Sequence, residues 1–105
     1  MDDKNQIIID NLNILECPNC KYNYLHQEQV ITEWRYEEDD DGLQTITSKN
    51  QVQTKNALSS EIDGRRDNIY IQFWCEDCHN KPTIQISQYK GQTYIQWIKK
   101  ISNIL

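Results

Sequence analysis

Asn68-Ile69-Tyr70-Ile71-Gln72-Phe73-Trp74-Cys75-Glu76-Asp77-Cys78 carries an alternating segment straight into a C-x-x-C turn. Ile69, Ile71 and Phe73 fall on one side and Tyr70, Gln72 and Trp74 on the other, the period-two pattern of a β-strand. Asp77 to Lys81 turn the chain, and Pro82 leads into the next strand. Upstream, Cys17-Pro18-Asn19-Cys20 repeats the motif, with 54 residues between Cys20 and Cys75 and no cysteine outside these two pairs. Two residues between thiolates let a tight turn aim both sulfurs at one point, and two facing turns make a tetrahedral four-sulfur site. The predicted fold is mainly β, an antiparallel sheet built on two cysteine-knuckle hairpins.

The predicted metal ligands are Cys17, Cys20, Cys75 and Cys78, holding one structural Zn²⁺ through four thiolates. Iron shares this four-thiolate geometry, and the spacing is the same for both metals. Two disulfides fit poorly with a chain that opens Met1-Asp2-Asp3-Lys4, without a basic n-region or an apolar h-region. A thioredoxin-like role needs one C-x-x-C at a helix start in a βαβ setting, whereas here two pairs sit among strand patterns.

His26 lies six residues after Cys20, and His79 directly follows Cys78. Either can approach the metal, but four thiolates leave no ligand position to fill, and the simpler expectation is ordinary strand or knuckle histidines. A closed four-coordinate ion also has no open position for a catalytic water. Glu28 and Glu33, the acid–base candidates, lie in a polar strand pattern and are expected on a solvated face. No catalytic residues are therefore assigned, and the protein is expected not to be an enzyme.

The best-defined hairpin joins Thr83–Tyr89 to Gln92–Ile98 through Lys90-Gly91. With a two-residue loop, Ile84 faces Trp97, Gln85 faces Gln96, Ile86 faces Ile95 and Ser87 faces Tyr94, so like meets like across the ladder. A helix is expected only over 99–104, where Ile101 and Leu105 continue a helical spacing from Tyr94 and Ile98. The first knuckle feeds a strand over Tyr24 to Tyr36, with Val30, Thr32, Trp34 and Tyr36 alternating with Ile31, Glu33 and Arg35. A shorter strand, Leu43 to Thr47, is expected to return antiparallel. The N-terminal stretch can add a strand around Ile7–Ile9 or Leu12–Leu15. Residues 48–67 carry few apolar positions among Lys, Asn, Gln, Ser and Asp, and read as a long mobile loop within one domain spanning 1–105.

Composition explains why a metal is needed. The 105 residues are 37% hydrophobic, below the roughly 45–50% of ordinary globular chains. A chain so polar has little to bury, and a metal centre supplies what the core lacks. No apolar run approaches the roughly 20 residues of a membrane helix. With no leader or span in view, a cytoplasmic location is expected.

Charge then bears on partners. Lys plus Arg number 11 against 16 Asp plus Glu, for a net charge of −5, and four thiolates with one Zn²⁺ bring this to about −7. Such a field opposes nucleic acid, whose binding gains from neutralised phosphates. The acidic run Glu37-Glu38-Asp39-Asp40-Asp41, followed by Gly42, reads as a hairpin tip able to meet a basic surface on a protein partner. It lacks the ligand alternation of a calcium loop. Arg65 and Arg66 are the local basic exception and a second candidate contact.

The Cys17-Pro18-Asn19-Cys20 turn, the strand after it and Phe73-Trp74-Cys75-Glu76-Asp77-Cys78 together resemble the zinc-ribbon superfamily. Tyr24-Leu25-His26, the acidic tip, Phe73-Trp74-Cys75-Glu76-x-Cys78 and Lys90-Gly91-Gln92-Thr93-Tyr94-Ile95-x-Trp97 are similar to small uncharacterised zinc-ribbon proteins of bacterial phages and mobile elements. The likeness spans about residues 15 to 98. Lys21 departs from it, since glycine often follows the second cysteine, and a lysine there must adopt a left-handed backbone or a different turn. The resemblance implies a module that binds a host or defence protein, in the cytoplasm of a bacterial host. The alternative is a nucleic-acid-binding ribbon with a regulatory role, stacking bases on Trp34, Tyr70, Trp74 and Tyr94 and holding phosphates with Arg65, Arg66 and Lys90. A homodimer that covers an apolar strand edge is a further expectation.

Overall fold

The computed structural model describes residues 6–35, 41–58 and 67–98. Among these the chain is mainly β, as the strand patterns predict, and contains no helix. Six strands, β1 (Leu25–Arg35), β2 (Asp41–Ser48), β3 (Val52–Leu58), β4 (Asn68–Cys75), β5 (Thr83–Tyr89) and β6 (Gln92–Ile98), form one sheet in the order β3-β2-β1-β4-β5-β6. Every pairing is antiparallel. Strands β1 to β4 make a Greek key, since the chain returns from the β3 edge to place β4 beside β1. The helix expected over 99–104 and the acidic residues 37–40 lie outside the described residues.

The β5–β6 hairpin has the expected register, with Ile84 opposite Trp97, Gln85 opposite Gln96, Ile86 opposite Ile95 and Ser87 opposite Tyr94. Lys90 and Gly91 both have positive φ, 50° and 80°, as a two-residue turn of mirror-image type requires. One sheet face carries Phe73, Ile84 and Trp97 as its buried cluster, with Leu25, Ile71 and Ile86 beside them. Phe73 and Trp97 meet edge to face with ring centroids 6.0 Å apart. Full burial of a side chain such as Phe73 or Ile84 contributes roughly 1.5–3 kcal/mol. Ile7 and Leu15 cover this cluster from the N-terminal segment.

Two expectations change. Residues 48–67 do not form one long loop: Val52–Leu58 is a strand, paired along its whole length with β2. Residues 51–56 are all exposed, so this edge strand is held by its main-chain ladder and has no apolar stripe to betray it. The other half, 59–66, lies outside the described residues. The N-terminal stretch forms no strand but a single antiparallel bridge between Ile9 and Leu15.

Glu33 is a third correction. It is 1% exposed, not solvated. Its Oε2 accepts from Gln44 Nε2 at 2.9 Å and its Oε1 from Asn68 Nδ2 at 3.2 Å, and both partners sit directly across the ladder. The chain of amides continues, since Gln85 donates to Asn68 Oδ1 at 3.3 Å and Gln96 donates to Gln85 at 3.2 Å. Five strands are thus linked on the face opposite the aromatic cluster, next to buried Ile31 and Tyr70. Burying a carboxylate is tolerable only with such donors.

Candidate metal centre

Each C-x-x-C closes through the same two main-chain bonds. In the first knuckle Cys17 N–H donates to the Tyr22 carbonyl at 2.8 Å and Lys21 N–H to the Cys17 carbonyl at 2.9 Å. In the second, Cys75 N–H donates to the Asn80 carbonyl at 3.1 Å and His79 N–H to the Cys75 carbonyl at 3.0 Å. Of the two alternatives for Lys21 the structure has the left-handed conformation, with φ of 70°, and His79 does the same at 61°. Only the second knuckle connects two strands, β4 and β5. The first precedes β1 with no strand before it among the described residues, so there it does not tip a hairpin as expected.

The sheet and the N-terminal segment bring the knuckles together. Leu25 opens β1 opposite Cys75, the last residue of β4, and Glu76 N–H donates to the Tyr24 carbonyl at 3.2 Å. On the other side, Asp10 Oδ1 accepts the N–H groups of Leu12 and Ile14 at 2.8 and 2.9 Å, closing a turn. Those contacts, with Ile14 the stronger, hold the Asp10 carboxyl below its usual range although desolvation opposes them. Asn23 reaches Asp10 Oδ2 at 3.4 Å, tying this turn to the first knuckle.

The four sulfurs lie within 4.8 Å of one another. Cys17 Sγ is 3.8 Å from Cys78 Sγ, and Cys20 Sγ is 3.6 Å from Cys75 Sγ. Sulfurs at the corners of a tetrahedron about 2.3 Å from a central ion stand about 3.8 Å apart, whereas a disulfide requires about 2.05 Å. The cluster therefore has the size of a tetrathiolate metal site, and all four cysteines are free. Cys17 and Cys75 are buried, Cys20 and Cys78 half-buried.

Backbone donors are already aimed at the sulfurs. The Asn80 N–H is the main influence that lowers the Cys78 thiol to about 7, against desolvation. Asn80 Nδ2 adds a contact to the same sulfur at 3.5 Å. The equivalent Tyr22 N–H lowers Cys20, but burial and the other three cysteines outweigh it and push that thiol up to about 12. Desolvation raises Cys17, while the N–H groups of Cys20 and Asn19 pull the other way. Thiols crowded this closely resist sharing negative charge, and a divalent cation removes the conflict.

Neither histidine enters the sulfur cluster. His26 Nε2 meets Glu76 Oε2 at 2.9 Å, and the rings of His26 and His79 lie 5.4 and 5.7 Å from that of Trp74. Glu28 is half-buried and pairs with Lys81 at 3.0 Å. Of the proposed partner contacts, Glu37, Glu38, Asp39, Asp40, Arg65 and Arg66 lie outside the described residues, and Asp41 opens β2. The four stacking candidates do not share a platform. Tyr70 is buried, and the pairing register places Trp34 on the sheet face opposite Trp74 and Tyr94.

The two knuckles thus define a four-cysteine centre able to hold a metal ion. No protein-family model, curated protein or solved structure matches this chain. The class of the site accordingly rests on its own geometry.

Proposed function

We propose that this protein is a non-catalytic zinc-ribbon-type module, closed by one structural Zn²⁺ and acting by binding a protein partner. The carrying observation is the four-sulfur cluster itself, whose separations of 3.6 and 3.8 Å fit an ion with all four positions filled. Zn²⁺ is favoured because it takes tetrahedral thiolate ligands without redox change, and the ion then serves folding. The role of the centre is structural: Cys17 and Cys20 beside the N-terminal segment and Cys75 and Cys78 at the β4–β5 junction would hold one ion between them, and the ion would tie the two knuckles together.

A protein partner is supported by what this arrangement leaves exposed. Ile9 is 55% and Leu12 73% exposed on the Asp10 turn, with Ile8 and Ile14 beside them. Tyr22 and Tyr24, also exposed, meet edge to face at 5.0 Å next to the same knuckle. Apolar groups gathered on a surface otherwise rich in Gln, Asn and Lys suit a protein interface. The net charge of −5 favours a basic partner. The resemblance to mobile-element proteins supports a host or defence protein in that role.

Elemental analysis and native mass spectrometry test the metal: one zinc per chain is expected, and a folded chain without metal, or with iron, overturns that part. Affinity capture tests the partner, comparing the wild type with Leu12→Asp. Loss of one salt-sensitive partner in the variant is expected. A metal-loaded chain that captures no such partner defeats the binding role.

A further inference from the structure

Strand β1 carries one extra residue where it pairs with β4, and this decides what one face of the sheet is made of. Gln27 is opposite Phe73 and Gln29 opposite Gln72, so Glu28 is a bulge without a partner in the ladder. An extra residue reverses the alternation of everything that follows it. Val30, Thr32 and Trp34 thereby join Phe73 and Trp97 on one face, while Ile31 and Glu33 turn to the other. In the row next to the buried cluster, Thr54, Thr45, Thr32, Ile69, Ile86 and Ile95 lie side by side across all six strands. That row holds no charged residue, and its Thr45 and Thr54 hydroxyls meet at 3.5 Å.

The N-terminal segment covers this face at its Phe73, Ile84 and Trp97 end. Away from that end the face is open, with Val52 66%, Ile95 54% and Trp34 49% exposed. Val52 is aligned with Thr47 and Val30 in the row of the cluster, and Trp34 with Leu43 in the row beyond. The opposite face has a different character, since Glu33, Gln44, Asn68 and Gln85 hydrogen-bond across it. Strands about 4.8 Å apart and rows about 6.8 Å apart give the open apolar and threonine area a size of roughly 500 Å². A sheet face of this kind is ordinarily one layer of a two-layer core.

We propose that the second layer is another copy of this chain, the two sheets meeting face to face through Trp34, Ile69, Ile86 and Ile95 with the threonines between them. Three observations select a copy. A two-fold contact needs a surface that complements itself, and an uncharged row does so although the chains, at −5 each, repel as wholes. Stacked sheets pack about 10 Å apart at an angle set by their twists, and two copies have the same twist. Two open areas of roughly 500 Å² together bury roughly 1000 Å², the lower limit for a specific interface, so the dimer should dissociate on dilution. Trp34 is its aromatic anchor. The contact uses the sheet face and not a strand edge, and it does not depend on the protein-binding role proposed above.

Sedimentation velocity of the metal-loaded full-length protein, from about 1 to about 500 µM, tests this. A reversible rise in mass from one chain toward two is expected. High salt should strengthen it, because screening removes the repulsion between like-charged chains and leaves the apolar contact. Trp34→Lys and Val52→Lys place a charge inside the contact, and each should weaken dimerisation by at least about tenfold, with metal content and the melting of the single chain unchanged. Trp34 lies on the interior strand β1, so its effect separates the face from either strand edge. Val52, on the exposed β3 edge, decides the matter should Trp34→Lys fail to fold. Leu12→Asp, on the Asp10 turn, should leave the dimer intact. Single chains at every concentration overturn the proposal. So does a dimer that folded Trp34→Lys retains, or that Val52→Lys retains where Trp34→Lys does not fold, or that Leu12→Asp abolishes, because it is then held elsewhere.

Discussion

Lys21 and His79 are backbone counterparts: each follows the second cysteine of its knuckle with φ of 70° or 61°, and each donates its N–H to the carbonyl of the first cysteine. Both side chains pay a steric penalty that glycine avoids. Lys21→Gly should therefore raise stability by about 0.5–1 kcal/mol, with metal content unchanged. His79→Gly should gain less, because it gives up the ring contact with Trp74. Thermal melts of the metal-loaded variants check the order; a destabilised Lys21→Gly would show that the conformation carries no strain.

Removing a ligand should act on folding. Cys17→Ser and Cys75→Ser delete buried sulfurs from the two knuckles, and structural zinc contributes on the order of 10 kcal/mol in small domains. Loss of the bound metal and of the cooperative thermal transition is expected for both. Chelation of the wild type should have the same effect, read by near-ultraviolet circular dichroism of Trp97 and its neighbours. A variant that melts like the wild type would mean that the sulfurs do not hold the fold.

The thiols also differ in reactivity in the interval between loss of the metal and opening of the chain. Cys78 is lowered to about 7 and Cys20 pushed up to about 12. With its folded value below the ordinary 9.0, Cys78 adds stability that is present above pH 9 and lost as pH falls through about 7. Cys20 acts in the opposite sense, its stabilisation being present below pH 9 and lost as pH rises toward 12. Pulse alkylation in that interval at pH 7.5, read by peptide mass spectrometry, should label Cys78 ahead of Cys20 and of the buried Cys17 and Cys75. Equal labelling of the four would contradict this.

The carboxylate of Glu33 gives a packing prediction. Glu33→Ala leaves Gln44 Nε2 and Asn68 Nδ2 without their buried acceptor, at a cost of about 1–3 kcal/mol for each donor. A loss of about 3 kcal/mol in urea unfolding is expected, partly recovered in Glu33→Ala with Gln44→Leu, which removes one stranded donor. A double variant no more stable than the single would separate Gln44 from the network.

How far these features were legible depended on whether burial left a mark in the sequence. The β5–β6 register could be read because Ile84, Ile86 and Trp97 must share a face, and the metal ligands because C-x-x-C spacing is geometric. Strand β3 could not, since its exposed residues form no apolar stripe and its pairing with β2 rests mainly on the main-chain ladder. Glu33 follows the Ile31 alternation onto a buried face, but its charge pointed to solvent. Gln44 and Asn68, which permit its burial, come from strands 11 and 35 positions away. The Glu28 bulge is a matter of pairing, and local sequence does not announce it.

The separation of Cys20 and Cys75 by 55 positions has a consequence for biosynthesis. The first pair of thiols leaves the ribosome well before the second exists, so the clasp cannot close until most of the sheet has been made. Closure of so distant a contact is slow relative to local hairpin formation. During that interval Cys17 and Cys20 are exposed to oxidants and to competing metals. The rate at which β4 finds β1 thus sets how long the nascent protein remains chemically vulnerable.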